Sequence, residues 1–155
     1  MEPETLILQL ETAIKYFDKS TSWIEEADEA FAPKEGLYTA SQQVAHVAQT
    51  IDWFMEGAFG PGWDLDFAAH DKELREVTSI AAARDWVKRA VANAVEIIGS
   101  KSSEELAALM PEGPIMGGLP YGSVVGGIIE HTSHHRGSLA VYARLQGKEP
   151  PMPYM

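Results

Sequence analysis

The sequence predicts an all-α protein built as a four-helix bundle. Three observations carry this. Apolar residues recur at a spacing of three and four along four long stretches, no segment keeps a period-two alternation, and hydroxyl-led capping patterns and glycine stops punctuate the chain where such helices would begin and end. The 155 residues fit one domain, 1–155, with 45% hydrophobic and 23% charged residues, the composition of a chain that folds around a core.

The first helix is expected over residues 4–31, where Leu6, Leu10, Ala13, Ile14, Phe17, Ile24, Ala27 and Phe31 mark one face and Pro33 to Gly36 end it. Thr39-Ala40-Ser41-Gln42 has the capping-box form and opens a second helix over 41–57, which Gly60-Pro61-Gly62 breaks. Residues 60–78 form a long connection with room for one short helical piece. Thr78 or Ser79 caps a third helix over 79–99, whose stripe is Ile80, Ala83, Val87, Ala90, Val91, Ala94, Ile97 and Ile98. A second capping box, Ser102-Ser103-Glu104-Glu105, opens a short helix to about Met110, and a loop rich in glycine and proline follows. The fourth long helix spans 123–146 and stops at Gly147. The connections of about 19 and 12 residues are long for a simple up-down bundle and permit a crossover.

Charge narrows the partners. The formal net charge is −11, and all of it lies in residues 1–78, with 16 acids against 5 bases; residues 79–155 hold 7 of each. Nucleic acid and anionic membrane surfaces both need clustered lysine and arginine, so neither is an expected partner. No apolar run approaches the length of a membrane span. The acidic start Met1-Glu2-Pro3-Glu4 is unlike a secretory signal, and a cytoplasmic location is expected. There is no cysteine, which excludes disulfides, thiolate metal sites and a cysteine nucleophile.

The chemistry concentrates in histidine. Three of the five lie in Glu130-His131-Thr132-Ser133-His134-His135-Arg136. At 100° per residue from Val124, His131 falls at about 340° and His135 at about 20°, within the core-facing stripe of Ile128, Leu139 and Tyr142; His134 falls at about 280°, on a flank. Two imidazoles four residues apart on one helical face can grip a single ion, and a shared metal would satisfy both if buried. The competing reading is a pair of core histidines bonded to neighbours. A third ligand must come from elsewhere, and His46 and His70 are both candidates: His46 shares the far side of helix two with Trp53, and His70 lies in the long connection. Asp52 and Glu56 lie on helix two, yet neither spacing brings a general base to such a site. The four tryptophans, Met110, Met116 and the glycine pairs are assigned to packing and loops, and Arg136, behind the histidine face, to structure.

Two stretches resemble the DinB/YfiT-like family of metal-binding four-helix proteins. One is Thr39-Ala40-Ser41-Gln42-Gln43-Val44-Ala45-His46. The other is His131-Thr132-Ser133-His134-His135-Arg136-Gly137-Ser138-Leu139, continuing to Tyr142-Ala143-Arg144-Leu145-Gln146-Gly147. Helix order and length agree over the whole chain; Ser138 stands where the family often has glutamine. The resemblance implies an up-down-down-up bundle with a crossover, commonly a homodimer. It implies His46, His131 and His135 as ligands of a divalent ion, zinc or nickel, and it is this that favours His46 over His70. It also implies thiol-dependent transferase or isomerase chemistry in some members.

Three histidines leave coordination positions open, as catalytic sites do. Such an ion could acidify water or hold a low-molecular-weight thiol, the sulfur that this cysteine-free chain lacks then coming from a co-substrate. The expected function is a metal-dependent enzyme of thiol-dependent transferase or hydrolase type acting on a small molecule. The alternative is a non-enzymatic, dimeric metal-binding or structural module.

Overall fold

A computed structural model describes all 155 residues. The chain is all-helical: α1 (Pro3–Thr21), α2 (Ala40–Phe59), α3 (Phe67–Arg75), α4 (Ile80–Gly99), α5 (Ser103–Ala107) and α6 (Ser123–Leu145). No strand forms; one isolated antiparallel bridge, Leu109 to Pro120, closes the loop before α6. No helix is long and apolar enough to cross a membrane.

The helix starts follow from local chemistry. Thr39 and Gln42 make the full capping box of α2, and Ser102 and Glu105 that of α5. Ser79, not Thr78, caps α4 by accepting from the Ala82 N–H, and Asp66 caps α3 by accepting from Ala69. Helix α3 is the short helical piece expected in the long connection. At the far end of α6, Gly147 adopts a positive φ of 72°, and Lys148 N–H then returns to the Ala143 carbonyl at 2.9 Å.

The first helix departs from expectation. It ends at Thr21, not near residue 31. Ile24, Ala27 and Phe31 keep a helical spacing by coincidence, and residues 22–30 run as turns. Three consecutive hydroxyl residues explain the stop. Thr21 Oγ1 donates to the Phe17 carbonyl at 2.8 Å and Ser22 Oγ to Lys19 at 2.9 Å, while the Arg84 guanidinium takes the Thr21 carbonyl at 2.8 Å. Trp23 and Ile24 are buried, so the segment still adds to the core.

The long helices pack in four pairs: α2 against α4 and α6, and α1 against α4 and α6. Their apolar faces enclose one continuous core that includes Leu10, Phe17, Val44, Ile51, Met55, Ile98, Ile128 and Leu139, all essentially without solvent exposure. Both faces of α2 are therefore occupied, with even Gln42, Gln49 and Thr50 buried. The face of α2 that carries His46 meets α6 and the short helix α3, and this sets the site.

Candidate metal centre

Three histidines from two helices converge. One nitrogen from each of His46, His131 and His135 lies within 4.8 Å of the other two. The ring centroids of His46 lie 5.0 Å from His131 and 4.8 Å from His135, and those of His131 and His135 lie 4.4 Å apart. The spacing of four on α6 stacks the last two, and the packing of α2 on α6 brings the first. His134 is exposed on its flank and stands outside the cluster, although its ring touches that of His135 edge-on.

A hydrogen-bond chain fixes one member of the cluster. A glutamine Oε1 can only accept, so the contact between His135 Nδ1 and Gln43 Oε1 puts the proton on Nδ1. The lone pair of neutral His135 is then on Nε2, which faces His131 Nε2 at 3.2 Å. Gln43 is held in turn: its Nε2 donates to the Tyr142 hydroxyl at 3.4 Å, and that hydroxyl donates to the Tyr38 carbonyl at 2.9 Å. Tyr38 donates to Asp71 at 2.7 Å, and Arg75 both grips Asp71 at 2.8 Å and lies 5.2 Å over the Tyr38 ring. Burial and the Asp71 partner push the Tyr38 hydroxyl up to about 12, so it remains a donor.

Electrostatics keep the cluster neutral. Burial, reinforced by the other imidazoles, lowers His131 to about 4 and His135 to about 3; burial also lowers His46. At neutral pH all three are free bases, the form that binds a metal. Nδ1 of His46 and Nδ1 of His131 are buried with no hydrogen-bond partner. A hydrogen bond between His131 and His135 would account for two rings of a core pair; it leaves the third imidazole without a role. A cation accounts for all three, so this donor set fits a divalent ion of the borderline kind that imidazole prefers.

Beside the cluster lies a cleft of about 340 Å³ lined by His46, Gln49, Thr50, Trp53, Phe54, Phe67, His70 and His131. Larger grooves exist, such as the one between α1 and α4, but they hold no comparable set of ligating groups. Here His70 finds its place. It is not one of the three converging histidines; α3 sets it in the cleft wall, its Nε2 3.5 Å from Asp64 and its carbonyl accepting from Gln49 at 3.1 Å. Asp52 turns away to accept from Trp86 on α4 at 2.7 Å, its carboxyl raised by burial, and Glu56 is exposed. Arg136 lies 5.8 Å over the Tyr154 ring. Met116 packs on the core, near Gly127.

The sequence reading missed Gln43 and Tyr142 as supports and His70 as a wall. Gln43 left a signal, since it precedes His46 by three residues and shares its helical face. His70 left none, because its approach depends on how α3 docks.

These features define a class: an all-helical protein in which two helices bring three neutral imidazoles together, two of them lining an aromatic cleft. The DinB family model matches residues 16–155, and the chain belongs to the DinB family. No curated protein matches the sequence.

Proposed function

We propose that this protein is a divalent-metal-dependent enzyme acting on a small molecule, of thiol-dependent transferase or hydrolase type. His46, His131 and His135 hold the ion, zinc or nickel. The observation that carries the reading is the convergence of three neutral imidazoles, two of which, His46 and His131, line a cleft. A closed structural site takes four protein ligands; here only three converge, and a co-substrate can complete the set. A bound divalent ion supplies Lewis acidity that lowers the pKa of water or of a thiol.

The chain's own residues supply the rest. Gln43 holds the His135 proton on Nδ1 and so orients its Nε2. Trp53, Phe54 and Phe67 exclude water from one side of the cleft. His70, set in the cleft wall with Nε2 3.5 Å from Asp64, is the polar side chain of α3 that a substrate in the cleft would meet. The cleft favours an enzyme over a purely structural module, because a structural ion has no use for an open aromatic wall.

The wider reading is a single-domain bundle of up-down-down-up topology with a crossover, supported by the pairing of α1 with α4 and α6. A cytoplasmic homodimer completes it, supported by exposed Leu8 on α1 and Val141 and Leu145 on α6.

Cobalt(II) substitution tests the site. The expected result is one equivalent bound, with visible bands of low coordination number. A near-ultraviolet sulfur-to-cobalt band should appear on adding a low-molecular-weight thiol. The chain has no cysteine, so that band can only come from the added thiol. Failure to bind cobalt, zinc or nickel would overturn the proposal.

A further inference from the structure

Helix α3 is attached in a way that lets it separate from the bundle. Gln42, His46, Gln49 and Trp53 follow one another on α2 at spacings of four, three and four, so they form one stripe. All but His46 reach across to the segment 64–77 that contains α3. The Gln42 amide donates to the Arg75 and Val77 carbonyls at 3.2 and 3.4 Å. The Gln49 amide donates to the His70 carbonyl at 3.1 Å and to the Glu73 carboxylate at 2.7 Å. The Trp53 indole N–H donates to the Asp64 carbonyl at 2.6 Å. His46 thus lies in the middle of the row that holds α3, and Phe67 and His70 of α3 wall the cleft that His46 and His131 line.

The attachment is almost wholly polar. Leu74 is the one buried residue of α3. Each hydrogen bond to α2 replaces one that water would make, so it adds little net stability. A helix of nine residues does not persist in water by itself. Such an element belongs to the part of a fold that opens first. Once away from α2 it loses its helix and uncovers His46 and His131.

Gln49 ties this element to the histidine site. Its amide hydrogens hold α3, and its Oε1 accepts from the His46 ring. The other ring nitrogen of His46 is then the one free to take an ion. An ion there polarises the remaining N–H and strengthens its bond to Gln49. Through the same amide it strengthens the bonds to the His70 carbonyl and the Glu73 carboxylate. Such coupling is reciprocal: what the ion does for α3, docked α3 does for the ion.

We propose that α3 is a lid over the three-histidine site and that Gln49 couples its closure to the ion, so that a bound ion holds α3 down and closed α3 slows the ion's release. This rests on the reading that His46, His131 and His135 hold a divalent metal.

Hydrogen–deuterium exchange and the rate of zinc transfer to excess chelator test the lid, with Glu73→Ala as the variant. Glu73 is exposed and alanine is a strong helix former, so the change cuts the α3 end of the chain and spares the core. In the metal-free native protein the α3 amides should exchange faster than those of α4. Bound zinc should slow α3 exchange about fivefold or more. Glu73→Ala should still take up zinc, but the slowing of α3 should shrink and zinc should leave severalfold faster. Metal-free α3 amides as slow as those of α4, α3 exchange unchanged by bound zinc, or a Glu73→Ala protein with native protection and native release would each overturn the proposal. Zinc content by elemental analysis separates the two readings. A protein that holds zinc while α3 stays indifferent sinks only the lid, and one that takes up no zinc sinks the metal reading and the lid with it.

Discussion

Replacing Gln43 with leucine should cost metal affinity although Gln43 touches no metal. In the native structure its Oε1 accepts from His135 Nδ1 and pins the tautomer that leaves the Nε2 lone pair facing the cluster. Leucine fills similar volume but accepts nothing. His135 can then move its proton to Nε2 and donate to His131 at the existing 3.2 Å separation, which spends two donor atoms on each other. Loss of such an outer partner typically weakens binding about 10- to 100-fold, or about 1.4 to 2.8 kcal/mol. The freed Tyr142 hydroxyl keeps its bond to the Tyr38 carbonyl, so the metal-free fold should lose only about 1 kcal/mol. Zinc competition against a chromogenic chelator at about pH 7, with a thermal melt of the metal-free protein, separates the two effects. Gln43→Glu, which still accepts from Nδ1, should retain affinity. A Gln43→Leu protein that binds zinc within about twofold of the native chain would refute the reasoning.

Five further residues make comparable predictions. His131 and His135 are lowered to about 4 and about 3 in the fold against 6.5 when free. The unfolded chain therefore binds protons first as pH falls, and metal-free stability should drop on the order of 1 kcal/mol per pH unit for each histidine between about pH 6 and pH 4. Urea midpoints show this, and His131→Gln should flatten the slope. Asp28 is buried and meets Lys148 Nζ at 2.5 and 2.6 Å. Burial alone would raise its carboxyl, but Lys148 and the Glu25 N–H outweigh that and hold it below the usual range. Its contribution is thus present above about pH 4 and lost as pH falls through the lowered value. Asp28→Asn should cost about 1–3 kcal/mol in chemical denaturation at neutral pH. The adjacent glycines of α6 should behave oppositely. A Cβ on Gly126 meets nothing, so Gly126→Ala should stabilise by about 0.5–1 kcal/mol. A Cβ on Gly127 would sit 2.8 Å from the Phe54 ring, so Gly127→Ala should destabilise by about 1 kcal/mol net in the same melts.

The sequence made much of this legible where local chemistry decides. Both capping boxes, Ser79 as a cap and the Gly147 stop come from bonds made within a few residues, and the ends they set lie within two residues of expectation. The end of α1 was not legible from apolar spacing, because Ile24 and Phe31 are core residues of turns that fall in phase with a helix. The hydroxyl run Ser20-Thr21-Ser22 held the contrary signal. Within the site, the angular argument separates buried His135 from exposed His134. His46 was ambiguous because both faces of α2 are covered, so its wheel has no solvent side to exclude. His70 and the aromatic cleft were illegible because they depend on the docking of α3, through Gln49 reaching its carbonyl and Glu73.

The central claim is that one ion is shared by three particular histidines, and metal content tests it most directly. The native chain and its four single alanine variants are loaded with zinc, desalted and analysed for zinc and protein together. His46→Ala, His131→Ala and His135→Ala should each lose most of the bound metal, while His134→Ala, altered on the exposed flank, should keep it. Metal-dependent thermal stabilisation, about 2.7 kcal/mol at a hundredfold excess of free metal over Kd, should vanish in the first three and survive in the fourth. Full metal content in all four variants would contradict the account, and so would loss in His134→Ala with retention in His135→Ala.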